Sequence, residues 1–236
     1  MKTVLFIHGF SAKMEDNIYL LEYLEKKKNI RIKTFTLPGH TEHGVEKITY
    51  DKWIKKAEEE LLETLKETKK VILIGHSMGG AIATILAAKY PQVEKLILIA
   101  PAFTVGSLIQ NREDIKDVVL RKKHPFGTGF EGVLRKLFTV PFSDLKEVRK
   151  IATLANSILV QVKCPILLLH GTIDQVVPIS SSIEIYAKIK GEKQFTILTD
   201  VRHQVFKSEK KEEIAKYIYT YIVGGIHFKL RRKEHI

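Results

Sequence analysis

Short apolar runs recur along the chain, each followed by a stretch with helical periodicity. Val4-Leu5-Phe6-Ile7, closed by His8-Gly9, predicts a buried strand at residues 4–7. Further strands are predicted at 31–37, 71–74, 96–100, 166–169 and 195–198. Between them, residues 16–28 carry Ile18, Leu21 and Leu24 at helical spacing. Residues 49–68 place Trp53, Ile54, Ala57, Leu61, Leu62 and Leu65 on one face, with Asp51, Glu58, Glu59 and Glu60 outside it. Helices are also expected at 77–90, 144–163, 182–189 and 212–223. The helix at 144–163 carries Leu145, Val148, Ala152, Ala155 and Leu159 on its apolar face. Fully apolar strands alternating with helices imply an α/β domain: a six-stranded, mostly parallel, doubly wound sheet covered on both faces.

The 236 residues are expected to form one domain, with no repeat or low-complexity break. One connection is too long. Residues 101–143 exceed what a crossover needs and read as a cap or lid inserted between strands four and five. A single cysteine, Cys164, excludes an internal disulfide framework and reads as a small buried hydrophobe. The initial apolar run is shorter than a signal-peptide core, and no run approaches the roughly 18 residues of a membrane span. A cytoplasmic protein with no stable membrane insertion is the expectation. Lys+Arg exceed Asp+Glu by 39 to 27, a formal charge of +12. The cations lie beside glutamates on helical faces and do not interleave with aromatics. They read as solvated surface, with no nucleic-acid partner.

The chemistry lies at strand ends. Gly75-His76-Ser77-Met78-Gly79 fits the Gly-x-Ser-x-Gly turn, in which a strained strand-to-helix corner exposes a serine and leaves no room for side chains two positions away. With fourteen glycines in the chain, about 0.03 matches are expected by chance, and here an apolar strand runs directly into the motif. A serine hydroxyl needs an adjacent base, and that base needs an acid to orient it. Of nine histidines, His203 sits in the short loop between the last strand and the last helix, at the carboxyl edge where ligand-handling groups collect. His8, His76 and His170 stand beside glycines at strand ends and read as packing or hydrogen-bonding groups. His40 and His43 lie in a Pro-Gly loop without metal-ligand spacing, His124 in the insertion, and His227 and His235 in the tail. Asp174, in the turn after the fifth strand, is the preferred acid. Asp200, three residues from His203 in one loop, is the alternative.

The order Ser77, Asp174, His203 is that of α/β-hydrolases. The chain resembles that superfamily, and within it small bacterial carboxylesterases and monoacylglycerol lipases. The resemblance rests on Leu5-Phe-Ile-His-Gly-Phe10, Leu37-Pro-Gly-His40, Gly75-His-Ser-Met-Gly-Gly80, Pro165-Ile-Leu-Leu-Leu-His-Gly171 with Asp174 and Val177-Pro178, and His203. No counterpart of the family's first two antiparallel strands is expected. The resemblance implies an oxyanion hole made by the backbone N–H groups of Phe10 and Met78. A sheet order of 2-1-3-4-5-6 would bring their loops together at the switch between strands one and three.

It further implies a serine hydrolase with no cofactor and no metal, acting on a small apolar ester through a Ser77 acyl-enzyme. Esters of short to medium acyl chains, monoacylglycerols included, are the expected substrates. The insertion carries many large apolar residues from Phe103 to Phe142, Phe126, Phe130 and Phe138 among them, more than one crossover helix can cover, and several of these are expected to line an apolar pocket above Ser77. A thioesterase, lactonase or carbon–carbon hydrolase on the same triad remains an alternative, as does a non-catalytic small-ligand binding protein.

Overall fold

Alternation along each strand divides the apolar residues between two cores. Leu5, Ile7, Leu73, Leu96, Leu98, Ile166 and Leu168 face one side of the sheet, while Val4, Phe6, Ile72, Ile74, Ile97, Ile99, Leu167 and Leu169 face the other. A period of two leaves no polar face, so both sides must be covered by helices. The computed structural model describes residues 1–10, 16–40, 48–104, 142–224 and 234–235.

The described elements run β1 (Lys2–Ile7), α1 (Ile18–Glu25), β2 (Ile30–Thr34), α2 (Tyr50–Glu67), β3 (Val71–His76), α3 (Met78–Lys89) and β4 (Val93–Ile99). After them come α4 (Phe142–Ile158), β5 (Ile166–Gly171), α5 (Ile179–Lys188), β6 (Lys193–Leu198), α6 (Lys211–Val223) and β7 (Glu234–His235). The six expected strands pair in the order β2-β1-β3-β4-β5-β6, all of them parallel. A two-residue seventh strand, β7, adds in parallel beside β6. The tail gave no sign of it, because two polar residues carry no apolar run.

Helices α2 to α5 cover the first core and α1 with α6 the second. Helix α3 is buried nearly all round, and its small residues Gly79, Gly80, Ala81, Ala83 and Ala87 let it lie close to the sheet. Two apolar residues assigned to helix faces point outward instead. Ile18 is 46% exposed at the first turn of α1, and Leu62 of α2 is 45% exposed while Thr64 takes the buried place. The Thr64 hydroxyl can do so because it donates to the Glu60 carbonyl one turn back, at 2.7 Å. Helix α4 ends at Ile158 in a short 3-10 turn, Leu159–Gln161, rather than continuing to residue 163.

Most of the proposed insertion, 105–141, lies outside the described residues, with Phe126, Phe130 and Phe138. Phe103, at the start of the insertion, belongs to the core beside α3 and α4, and its carbonyl accepts from Asn156 Nδ2 at 2.7 Å. Among the described residues no helix is long and apolar enough to cross a membrane.

Candidate active site

Register sets the site's level. Ile7 pairs with Gly75, so Gly9 and Ser77, each two residues further on, leave neighbouring strands side by side. β1 and β3 are also where the chain reverses its winding direction, the place where open α/β sheets form their crevice.

Ser77 occupies the corner between β3 and α3 at φ 55° and ψ −122°, a left-handed backbone that side chains rarely adopt. The flanking glycines make that corner possible. A Cβ on Gly75 would lie 2.4 Å from the Gly79 carbonyl oxygen, and one on Gly79 would lie 2.1 Å from the Ile7 carbonyl oxygen. The corner is tied down by Ser77 N–H donating to the Ile99 carbonyl, and by the Ser77 carbonyl accepting from Gly80 and Ala102. Strain held by surrounding bonds in this way is characteristic of functional turns. Ser77 itself stays half-buried at the open end of the sheet.

The loop bearing Phe10 is pressed against this corner: a Cβ on Gly9 would lie 2.9 Å from Ser77 Cβ and 3.5 Å from its Oγ. His8 orients that loop. Its Nε2 accepts from the Leu37 N–H at 2.9 Å, so the proton sits on Nδ1, which donates to the Gly9 carbonyl at 2.8 Å. In a planar trans peptide the Phe10 N–H then points opposite to that carbonyl. Edge-on ring contacts of Phe10 with His40 and Trp53, 5.7 Å between centroids, hold the side chain beneath α2. Met78, the other residue implied as an oxyanion donor, is buried at the first position of α3, where backbone N–H groups lack helical acceptors.

His203 Nδ1 lies 2.8 Å from Asp174 Oδ2, in a pair whose carboxylate is wholly buried. The other oxygen, Oδ1, accepts from the backbone N–H groups of Val176 and Val177 at 2.8 and 2.9 Å. Asp200 is exposed, at φ 60°, and its N–H donates to Thr172 Oγ1. The loop of His203 is bound to the serine corner through His76, whose Nε2 donates to the His203 carbonyl at 3.0 Å and whose ring lies 5.0 Å from that of His203. Ser77, Asp174 and His203 thus share one end of the sheet. Among the described residues no hydrogen bond joins Ser77 to His203, a looseness common in ligand-free sites.

Burial would push the Asp174 carboxyl up. The His203 and His170 imidazoles outweigh that and hold it well below the usual carboxylate range. Burial, with the neighbouring His203, pushes His76 down to about 3. Burial likewise lowers His8 to about 4, against the partial support of its bond to the Gly9 carbonyl. These rings stay neutral in the fold but take up protons near pH 6.5 once unfolded. Stability is therefore complete above pH 6.5 and is lost as pH falls toward 4, by on the order of 3 kcal/mol per histidine, with Asp174 adding to the loss below its unfolded range. The urea midpoint should fall steadily between pH 7 and 4.5. A constant midpoint over that interval would contradict this account.

Cys164 is half-buried, and burial pushes its thiol up to about 11, which disfavours a thiolate. Among the described residues no group of three or more His, Cys, Asp or Glu side chains could hold a metal ion. The residues that the motif reading left unassigned are His76, which grips the base's own loop, and His170 with the 176–177 amides around Asp174. Their sequence signal, a histidine beside a glycine at a strand end, reads equally well as packing.

Comparison with known proteins agrees with this architecture. Over 259 residues the chain is 25% identical to monoacylglycerol lipase ABHD6 of Rattus norvegicus, covering 94% of this chain and 75% of that protein. It is 25% identical to the mitochondrial palmitoyl-protein thioesterase ABHD10 of Bos taurus, covering 92% of this chain and 71% of that one. The crystal structure of a Paleococcus ferrophilus monoacylglycerol lipase superposes with a TM-score of 0.72 at 20% identity, covering 95% of each chain. Residues 2–145 match the family described as the alpha/beta hydrolase fold, and the chain belongs to that family.

Proposed function

We propose that the protein is a serine hydrolase that cleaves carboxylic esters of short to medium acyl chains. The observation that carries this reading is the buried Asp174–His203 pair at the same end of the sheet as a serine held at positive φ between two obligatory glycines. In this reading Ser77 Oγ attacks the ester carbonyl while His203 Nε2 takes its proton. Asp174 keeps the proton of the resting ring on Nδ1 and stabilises the imidazolium that forms. The backbone N–H groups of Phe10 and Met78 receive the negative oxygen, each worth roughly 3 kcal/mol in the transition state. Collapse expels the alcohol with the proton from His203, leaving an acyl-Ser77. Water, activated by the same imidazole, then releases the acid.

Monoacylglycerols are among the substrates proposed, supported by the lipase names of the relatives. The thioesterase name of ABHD10 supports thioesters as the second reading. A series of p-nitrophenyl, glyceryl and thioester substrates separates them. An apolar acyl pocket gains about 0.8 kcal/mol per buried methylene, so kcat/KM of the esters should climb with chain length until the pocket is full. A flat profile, or a strong preference for acyl-CoA, would remove the proposed specificity. Absence of labelling by a fluorophosphonate probe would remove the hydrolase and leave a ligand-binding protein.

A further inference from the structure

Asp174 Oδ2 faces two imidazoles, of which the proposed chemistry uses only one. His170, at the end of β5 and wholly buried, places Nε2 2.9 Å from the Val177 carbonyl oxygen and 3.2 Å from Asp174 Oδ2. Both are acceptors, so Nε2 carries a proton. On the opposite side, Nδ1 lies 2.6 Å from the hydroxyl of Ser182, which is buried in the first turns of α5. In the neutral ring Ser182 donates to Nδ1. A directed chain results: Ser182 O–H to His170, and His170 N–H to the Val177 carbonyl and the carboxylate. Val177, whose carbonyl His170 engages, is also the residue whose N–H supports Asp174 Oδ1. Ser182, His170 and Asp174 are the residue types of a nucleophilic triad. A serine with no exposed surface has no access to substrate, so the group cannot be a second reaction centre.

We propose that His170, held in its Nε2–H tautomer by the Val177 carbonyl and Asp174, is a positioning residue that acts on His203 through the carboxylate they share. It clamps the 174–177 turn and places a positive N–H dipole against Oδ2. That dipole moderates how strongly the carboxylate favours the imidazolium form of His203. The inference rests on the proposed base role of His203. Among the described residues, the other groups set against His203 and its loop are His76 from the β3–α3 corner and Asp16, which meets the loop through Gln204 Nε2 and Lys207 Nζ. His76 also interacts electrostatically with Asp174 and Asp16, and both His76 and Asp16 are left intact by the variants below.

The test combines kinetics with histidine-selective 15N NMR of the intact protein. His170→Leu should lower kcat about tenfold with little change in KM, because His170 has no surface for substrate to touch. The same variant should move the pH of half-maximal kcat/KM upward by about half a unit, since Oδ2 loses a competing donor. His170→Gln, which retains a donor at similar reach, should restore both quantities to within about threefold and a few tenths of a unit. The wild-type spectrum should show His170 as the Nε2–H tautomer, and Ser182→Ala should leave it so, because both acceptors at Nε2 remain. A His170→Leu protein with wild-type kcat and pH midpoint but a lower melting temperature would overturn the proposal, as would a Gln variant no better than Leu. If His170→Leu does not fold, a wild-type spectrum with the His170 proton on Nδ1 overturns it instead. Absence of fluorophosphonate labelling in the wild type would refute the hydrolase reading, and labelling that survives Ser77→Ala would take the nucleophile role from Ser77. The NMR midpoint of His203, compared between wild type and His170→Gln or His170→Leu, still decides the electrostatic coupling in that case.

Discussion

Ser77→Ala should reduce ester hydrolysis by at least about a thousandfold and abolish fluorophosphonate labelling, with a thermal midpoint within a few degrees of the parent. The loss follows from the removal of the proposed nucleophile: the oxyanion donors and pocket would remain, and they alone sustain only a residual rate. The unchanged stability follows from the geometry of the corner. Serine and alanine carry the same Cβ, so both bear the same cost of φ 55°. The Ser77 backbone, which bonds to Ile99, Gly80 and Ala102, is untouched. No buried apolar packing is removed, because the side chain stands half-exposed. Activity surviving at half its original level would take the nucleophile role away from Ser77. A large drop in melting temperature would show instead that the hydroxyl supports the fold.

Asp174→Asn should cost on the order of 10²–10⁴ in kcat. The amide oxygen can still accept from the Val176 and Val177 N–H groups, so the turn should keep its shape. The amide nitrogen then faces His203 Nδ1 as a donor. It favours the tautomer with the proton on Nε2, and no lone pair remains for the Ser77 proton. The shared carboxylate charge, held ionised by two imidazoles, is lost as well. Asp200→Asn should change kcat far less. Its side chain is exposed, its backbone bond to Thr172 is independent of residue type, and asparagine tolerates φ 60° as readily as aspartate. Steady-state kinetics of the two variants decide between the acids. Reversal of the two effects would transfer the role to Asp200.

The α/β architecture was legible because it depends on local regularities. Short, β-branched apolar runs such as Val71-Ile-Leu-Ile74, bounded by turn residues, read as strands buried on both faces, and their alternation with amphipathic helices leaves few topologies. Errors arose where exposure depends on what lies opposite. Ile18 and Leu62 keep helical spacing with their neighbours yet face outward. Periodicity gives a face its direction but not the width that a packed partner covers.

The elbow at Ser77 was equally local. Five residues specify a strained corner, and the two glycines are required by close backbone approaches within it and to the Ile7 carbonyl. By itself, then, the sequence determined six of the strands, the corner and the chain order of the candidate residues, because each follows from spacing along the backbone. Only the tertiary structure decided which acid meets His203, that His76 grips the base's loop, and that His170 shares the carboxylate. Those contacts join residues on separate strands and loops. A histidine beside a glycine looks the same in sequence whether it fills a core or orients a neighbour; the difference lies in which atoms stand within 3 Å of its two nitrogens.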